Sequence, residues 1–307
     1  MLVNLNDILP QARKEGYAVG AFNTSNLEIT QAIITAAETL DAPVIIATSE
    51  KAIKYAGIES ISEMIIGMSK RATIPVVLHL DHGQSYELCT ECIKYGYTSV
   101  MIDASHLPYA GNVKLTRKVV RYARRKKITV EAEIGRLAGI EDDLAVKSKH
   151  AFYTDPDEAK RFANATECDA LAVAIGTSHG AYKFKGIPRL RIDILKKIAA
   201  VTAVPLVLHG ASGVKAKWIS RVNRYGGALQ HARGVPDQLI RQAVLNGIAK
   251  INTDTDLRIG FTAGAREYLH DNPEAFDPRA IISAAHNRVV EVVLDRIKIF
   301  GSENKAR

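Results

Sequence analysis

The sequence predicts a (β/α)8 barrel, and three observations carry that prediction. Short apolar runs alternate with helical patterns from one end of the 307 residues to the other, and eight of those runs read as strands. Each strand ends on a polar side chain, as the carboxyl face of a barrel requires. There is no Pro/Gly-rich linker, low-complexity tract or break in composition, so residues 1–307 read as one barrel domain with a C-terminal helical extension. A doubly wound open sheet is the alternative, but no GxG occurs to make a dinucleotide-binding turn.

The strands are expected at Tyr17–Phe22, Pro43–Thr48, Pro75–Leu80, Ser99–Ile102, Ile128–Ala132, Ala170–Ile175, Pro205–Leu208 and Ile248–Ile251. The third is the most informative. It runs as Val76-Val77-Leu78-His79-Leu80-Asp81-His82-Gly83, and strand alternation puts Val77, His79 and Asp81 on one side and Val76, Leu78 and Leu80 on the other. Helix signals fill the intervals. Ser25-Asn-Leu-Glu28 reads as a capping box ahead of Ile29, Ile33, Ala36, Ala37 and Leu40 on one face. Thr154-Asp-Pro156-Asp-Glu158 offers a cap, a first-turn proline and acidic first-turn residues. A further helix opens at Pro236 and closes at Gly247.

Apolar residues make up 47% of the chain, enough for a full core. No run of eighteen apolar residues and no charged-then-apolar leader is found, which argues against a membrane span or secretory signal. Three cysteines, an odd number, argue against a disulfide framework and for a reducing cytoplasm. Cys89-Thr-Glu-Cys92 is formally a CxxC but reads as helix packing. The net charge of +8 could serve nucleic acid, a membrane surface or anionic small substrates. Its densest run, Arg121 to Lys127, ends a predicted helix, where cations suit the dipole. The charge is therefore assigned to phosphate; neither a nucleic acid nor a membrane is expected as a partner.

At the strand ends stand Asn23, Ser49, Asp81-His82, Asp103, Glu133, His179, His209 and Asn252. His82, His179 and His209 each precede a glycine, and three neutral imidazoles with an open position suit a catalytic zinc-type site. Any one of them alone could be a packed polar histidine. Glu131 and Glu133 share a face, so Glu133 could join a metal or orient a ligand. Asp81 could move a proton beside the metal, and Asp103 is set with the metal group, behind its ligands. Glu141 and Asp142 fall in a long segment before Thr154 that reads as an active-site lid or, equally, as a solvated acidic loop. Gly210-Ala-Ser212-Gly213 and Asn252-Thr-Asp254-Thr255 suit the phosphate site that barrels build after strands seven and eight. Arg258 and Arg279 are candidates for a second anion, or are helix-surface arginines.

These residues bring a resemblance into view. Gly20-Ala-Phe-Asn23, Leu78-His-Leu-Asp-His-Gly83, Ser99-Val-Met-Ile-Asp103 and Val130-Glu-Ala-Glu-Ile-Gly135 are the first matching blocks. Ala174 to Lys183, Leu208 to Gly213, Lys250 to Arg258 and Phe276-Asp-Pro-Arg279 follow in order. Over nearly its whole length the chain resembles the class II, metal-dependent fructose-bisphosphate aldolases. That resemblance implies metal ligands at His82, His179 and His209, with Glu133 near an alternative metal position. It implies that Asp81 handles the proton of the C4 hydroxyl and Glu141 the proton at the enediolate carbon. It places Gly180, Lys183, Gly210, Ser212, Asn252, Asp254 and Thr255 on the ketose phosphate and its hydroxyls, and Asn23 and Ser49 are grouped with these substrate-binding residues. Gly213 departs from the pattern, where many relatives carry a second serine.

The expected reaction is reversible cleavage of fructose 1,6-bisphosphate to dihydroxyacetone phosphate and glyceraldehyde 3-phosphate. Tagatose 1,6-bisphosphate is the alternative substrate. Zinc is the expected cofactor, with cobalt or another divalent ion able to replace it, and a monovalent cation beside the phosphate loop is left open. A homodimer or homotetramer acting on a phosphorylated ketose is expected. The rival chemistries are a Schiff-base aldolase using Lys250 and a metal-dependent sugar-phosphate isomerase.

Overall fold

The computed structural model describes residues 1–135, 138–141, 144–146, 153–179 and 189–306; within 138–146 and at 179 the backbone alone is described. Eight parallel strands close into a barrel. They are β1 (Val19–Asn23), β2 (Val44–Ser49), β3 (Val76–Gly83), β4 (Ser99–Ile102), β5 (Thr129–Ile134), β8 (Ala170–Val173), β10 (Leu206–Leu208) and β11 (Ile248–Thr253). Around the barrel the order is β1-β11-β10-β8-β5-β4-β3-β2. All eight expected strands are present, each within a few residues of its expected bounds. The helices between them form the outer ring: α2 (Leu27–Thr39), α3 (Glu50–Ala56), α4 (Ile58–Arg71), α5 (Tyr86–Lys94), α6 (Tyr109–Arg124), α7 (Pro156–Thr166), α8 (Ile192–Val201), α9 (Ala216–Arg224) and α10 (Asp237–Leu245). Beyond β11 come α11 (Thr255–Asp271) and the 23-residue α12 (Pro278–Phe300), which packs on α11 and α2.

Two apolar layers follow from strand alternation. Val76, Leu78 and Leu80 of β3 face the helices in the larger core, whereas Val77 joins Val19, Ala21, Ile45, Ala172, Val207 and Ala249 inside the barrel. The inner residues are mostly small, so the upper part of the barrel has room for polar groups. Its amino end is closed by a segment the sequence pattern did not single out. A 3-10 turn (Leu5–Asp7) and α1 (Leu9–Glu15) put Leu5, Ile8 and Leu9 against the inner layer.

Several local expectations are corrected. The cap of α2 is Asn26, whose side chain accepts from the Ile29 amide, so Ser25 does not form the capping box. The start of α7 is as expected, with Asp155 as the cap, Pro156 in the first turn and Asp157 and Glu158 behind it. Thr154 ties β5 to the residue after β8, its hydroxyl donating to the Ile134 carbonyl at 2.7 Å and accepting from the Ala174 amide at 2.8 Å. The segment after Gly135 contains β6 (Ala138–Glu141) and β7 (Leu144–Val146), an antiparallel hairpin rather than a plain loop. β6 also pairs in parallel with β9 (Ser178–His179). His179 therefore lies on a second three-stranded sheet and not at the end of the sixth barrel strand, which stops at Val173.

The third strand runs to Gly83, three residues further than expected, because its register with β4 shifts between Leu80 and Gly83. Such a bulge re-aims side chains, and it coincides with a left-handed backbone at His82, φ 48°. A Cβ on Gly83 would lie 2.7 Å from the Met101 carbonyl oxygen and 2.6 Å from Leu80 Cδ2. Gly83→Ala should therefore lower stability by about 1–3 kcal/mol through overpacking against backbone. Urea unfolding is the check, and an unchanged midpoint would mean the bulge yields freely.

Candidate active site

The carboxyl ends of the barrel strands bring Asn23, Asp81, His82, Asp103, Glu133, His209 and Asn252 together, all buried, with Ser49 partly exposed at the rim. Asp103 Oδ2 lies 3.0 Å from His82 Nδ1, and Glu131 Oε1 lies 2.7 Å from His209 Nε2. Each imidazole thus donates one ring N–H to a carboxylate, which fixes its tautomer and turns the other nitrogen inward. Those other nitrogens, His82 Nε2 and His209 Nδ1, face each other at 2.8 Å with the rings edge to face. Two facing lone pairs suit a shared cation, and imidazole suits zinc and cobalt. Ligand atoms of Asp81, His82 and His209 lie within 4.8 Å of one another, as do those of His82, Asp103 and Glu133. The donor set fits a divalent metal.

Below this pair lies a charge cluster inside the barrel. Glu131, fully buried, holds His209 through one oxygen, and its other oxygen is 2.8 Å from the ammonium of Lys250, also fully buried. Burial alone would raise the Glu131 carboxyl, but Lys250 and the His209 bond hold it well below the ordinary carboxylate range. Asp103 is likewise kept low against its burial by the bonds from His82 and from the Ser105 amide. Burial and the neighbouring Lys250 cation push His79 down to about 3, so it is a neutral ring bonded to Ser99 at 2.8 Å. His209 is pushed down by burial and by His82.

Lys250 also donates to Asn252 Oδ1 at 2.6 Å, which turns the Asn252 amide nitrogen onto Asp81 Oδ1 at 2.8 Å. Asn23 donates to Asp81 Oδ2 at 2.8 Å. Asp81 therefore has an amide donor on each oxygen and is held as an acceptor, in the form a base requires. Lys250, tied to Glu131 and Asn252 with no exposed surface, is a structural cation and not an open amine.

The anion candidates divide. Ser212 is buried in the loop after β10, and Gly210 has φ 61° with Ser178 so close that a Cβ would lie 2.7 Å from its carbonyl oxygen. Asp254 and Thr255 lead into α11, with Asp254 paired to Arg258 at 2.6 Å. A cavity of about 260 Å³ beside the mouth is lined by Asn23, Ser49, Lys51, Asp254 and Arg258 among others. Arg279 is not among its residues; it is 89% exposed and forks onto Asp277. Gly180 and Lys183 lie outside the described residues. Of His179 and Glu141 only the backbone is described: His179 pairs with Gly139 of the strand that ends in Glu141, so these two candidates share one small sheet.

Strand alternation shows the face of Glu131 but not its grip on His209, nor the link from Lys250 through Asn252 to Asp81. The available signal was a full charge in the middle of each of two buried strands, which must find its opposite inside the barrel. Cys89 and Cys92 are both free and buried, and burial raises both thiols, that of Cys89 to about 12; they are packing residues.

The cluster makes the fold sensitive to acid. A folded pKa of about 3 at His79, against an ordinary 6.5, means that the unfolded chain binds a proton below pH 6.5 that the folded chain refuses. The stability tied to His79 is present above pH 6.5 and lost as pH falls toward 3. In urea titrations of metal-free protein, His79→Asn should flatten the fall in stability between roughly pH 7 and pH 5. An unchanged slope would assign that fall to other groups.

Comparison with known proteins places the chain. A family model described as fructose-bisphosphate aldolase class-II matches residues 3–305. The fructose-bisphosphate aldolase of Thermus caldophilus is 50% identical over 306 residues, covering 100% of both chains. That of Helicobacter pylori strain 26695 is 47% identical, over 99% of this chain and 100% of its own. Among solved structures, an aldolase from Escherichia coli K12 superposes with a TM-score of 0.81 at 32% identity, covering 100% of both chains. With a family model spanning nearly the whole chain and a relative at 50% identity over its full length, the chain belongs to the class-II fructose-bisphosphate aldolase family.

Proposed function

We propose that the protein is a metal-dependent fructose-1,6-bisphosphate aldolase, with tagatose 1,6-bisphosphate as the alternative substrate. The reading is supported above all by one juxtaposition: the acceptor carboxylate of Asp81 stands within 4.8 Å of the paired imidazoles of His82 and His209. A catalytic base beside a set of nitrogen donors is what retro-aldol cleavage needs. His82 and His209, with His179 as third ligand and Glu133 and Asp103 beside them, would hold zinc or cobalt, which supplies Lewis acidity at the C2 carbonyl.

The chain's own residues divide the remaining work. Gly210, Ser212, Asn252, Asp254 and Thr255, with Gly180 and Lys183, bind the phosphate and hydroxyls next to C2. Asn23 and Asn252 orient Asp81, which takes the proton of the C4 hydroxyl as the C3–C4 bond breaks and the aldehyde leaves. The electron pair of that bond passes toward C2, and Glu141 returns a proton to C3 to complete dihydroxyacetone phosphate. Ser49 and Arg258, which line the cavity beside the mouth, receive the distal phosphate. Arg279 joins that subsite only if a second protomer carries it there, in line with the homodimer or homotetramer we propose. Among the described residues no helix is long and apolar enough to cross a membrane; the three free, buried cysteines support a reducing cytoplasm. Product analysis separates a bisphosphate cleaved in two from an isomerase substrate kept whole.

Exhaustive chelation should abolish cleavage in a coupled assay, and zinc or cobalt should restore it. Full activity without metal, or borohydride trapping of substrate on Lys250, would falsify the class-II mechanism. Arg258→Ala should cost about 1.5–3 kcal/mol in transition-state stabilisation on the bisphosphate, the value of a charged hydrogen bond, and little on fructose 1-phosphate. Equal losses on both substrates would remove Arg258 from the distal site. Asp81→Ala should cripple bond cleavage, while Glu141→Ala should slow solvent tritium exchange into dihydroxyacetone phosphate, each by roughly 10²–10⁴-fold. Normal exchange in Glu141→Ala would assign that proton elsewhere.

A further inference from the structure

Among the described residues, the largest fully buried side chain is not at the candidate metal site. It is Arg296 of α12, 1% exposed, on the outer side of the loop that follows β10. Its Nη2 pairs with Asp237 at 2.8 Å and Asp295 at 2.7 Å, and Lys215 bridges the same two carboxylates at 3.0 and 2.7 Å. Its Nη1 makes no hydrogen bond among the described residues and faces Asp256 at 3.9 Å. The same nitrogen lies against Gly213, where a Cβ would come within 2.6 Å of it. A serine at 213 would have to displace the guanidinium.

Asp256 is buried in the first turn of α11, directly after Asp254 and Thr255. One of its oxygens accepts from the Gly213 amide at 2.8 Å and the other from the Val214 amide at 2.6 Å. Val214 is held at φ 45°, a conformation that is strained for a β-branched residue and persists only where its surroundings impose it. On the far side, the Val235 amide donates to the Ser212 carbonyl at 3.0 Å, and Gly234 is so close that a Cβ would lie 2.2 Å from that oxygen. One carboxylate thus ties the loop after β10 to the loop after β11, and one buried cation backs it.

We propose that the Asp256–Arg296 pair is a positioning device for phosphate recognition, setting the main chain of residues 210–214 in the shape that receives the phosphate beside the ketose carbonyl. This inference rests on the aldolase reading. Asp256 removes the Gly213 and Val214 amides from competition for the anion and fixes the peptide planes on either side of Gly213. Ser212 and the backbone before it are thereby held toward the mouth. Arg296 backs Asp256 from behind and holds it in place without touching substrate.

The test is Asp256→Asn, which keeps the volume but sets an amide N–H against a backbone N–H. The KM for fructose 1,6-bisphosphate and the inhibition constant of inorganic phosphate should both rise roughly tenfold or more, the size of one lost charged hydrogen bond. The change in kcat should be smaller, and bound zinc should stay at the wild-type level. Arg296→Lys, which keeps a cation, should show a smaller rise than Arg296→Met. If Asp256→Asn does not fold, Gly213→Ala probes the contact from the loop side and should raise the same two constants. Unchanged phosphate inhibition in a folded Asp256→Asn or Gly213→Ala variant overturns the proposal, as does a fall in stability and kcat with phosphate inhibition unmoved. A wild-type protein that does not cleave the bisphosphate would instead overturn the aldolase reading itself.

Discussion

The site depends on one carboxylate. Glu131 lies at the middle of the barrel with no exposed surface, joining His209 above it to Lys250 beside it. Removing a carboxylate and an ammonium from water costs several kcal/mol per ion after relaxation, and only a closely bonded pair offsets that. The barrel accepts the cost because the pair orients what stands above it. Glu131 accepts a hydrogen bond from the Nε2–H of His209 and so turns Nδ1 toward His82. Lys250 takes the oxygen of Asn252 and so turns its nitrogen toward Asp81. One buried ion pair therefore sets the tautomer of a metal-ligand candidate and the amide orientation behind the candidate base.

The same logic recurs further out, at the loops. Asp256 and Arg296 form a second buried pair, in which the carboxylate bonds to backbone amides instead of imidazole. Between them the two pairs fix the loops after the seventh and eighth barrel strands and the side chains of the fifth and eighth. The geometry of the mouth is imposed from beneath and behind by groups that solvent does not reach. That arrangement favours a rigid, preorganised site over one assembled on binding.

Most of the barrel was legible because its signals are local. Strand alternation in Val76–Gly83 sorted inner from outer residues correctly, and the polar strand ends marked the mouth. What escaped was non-local. The bulge that aims His82 depends on register with β4, and nothing within β3 alone announces it. The β6–β7 hairpin is short, and half its pairing is with β9, some forty residues on, so its segment reads as a loop. The His-Gly context makes His179 a ligand candidate, yet its strand belongs to that second sheet. Arg258 and Arg279 looked equivalent in sequence; only the fold separates the one lining the cavity from the one held in solvent by Asp277.

The central claim is that Glu131 makes the metal site by fixing His209, and zinc affinity tests it most directly. Glu131→Gln keeps the shape of the side chain but removes the charge that holds both His209 and Lys250. Competition titration against a chromogenic chelator should show zinc binding weakened about 10–100-fold, the usual cost of losing a carboxylate partner to a ligating histidine. Wild-type zinc affinity in a folded Glu131→Gln protein would contradict the account, because His209 would then owe its orientation to something other than the carboxylate beneath it.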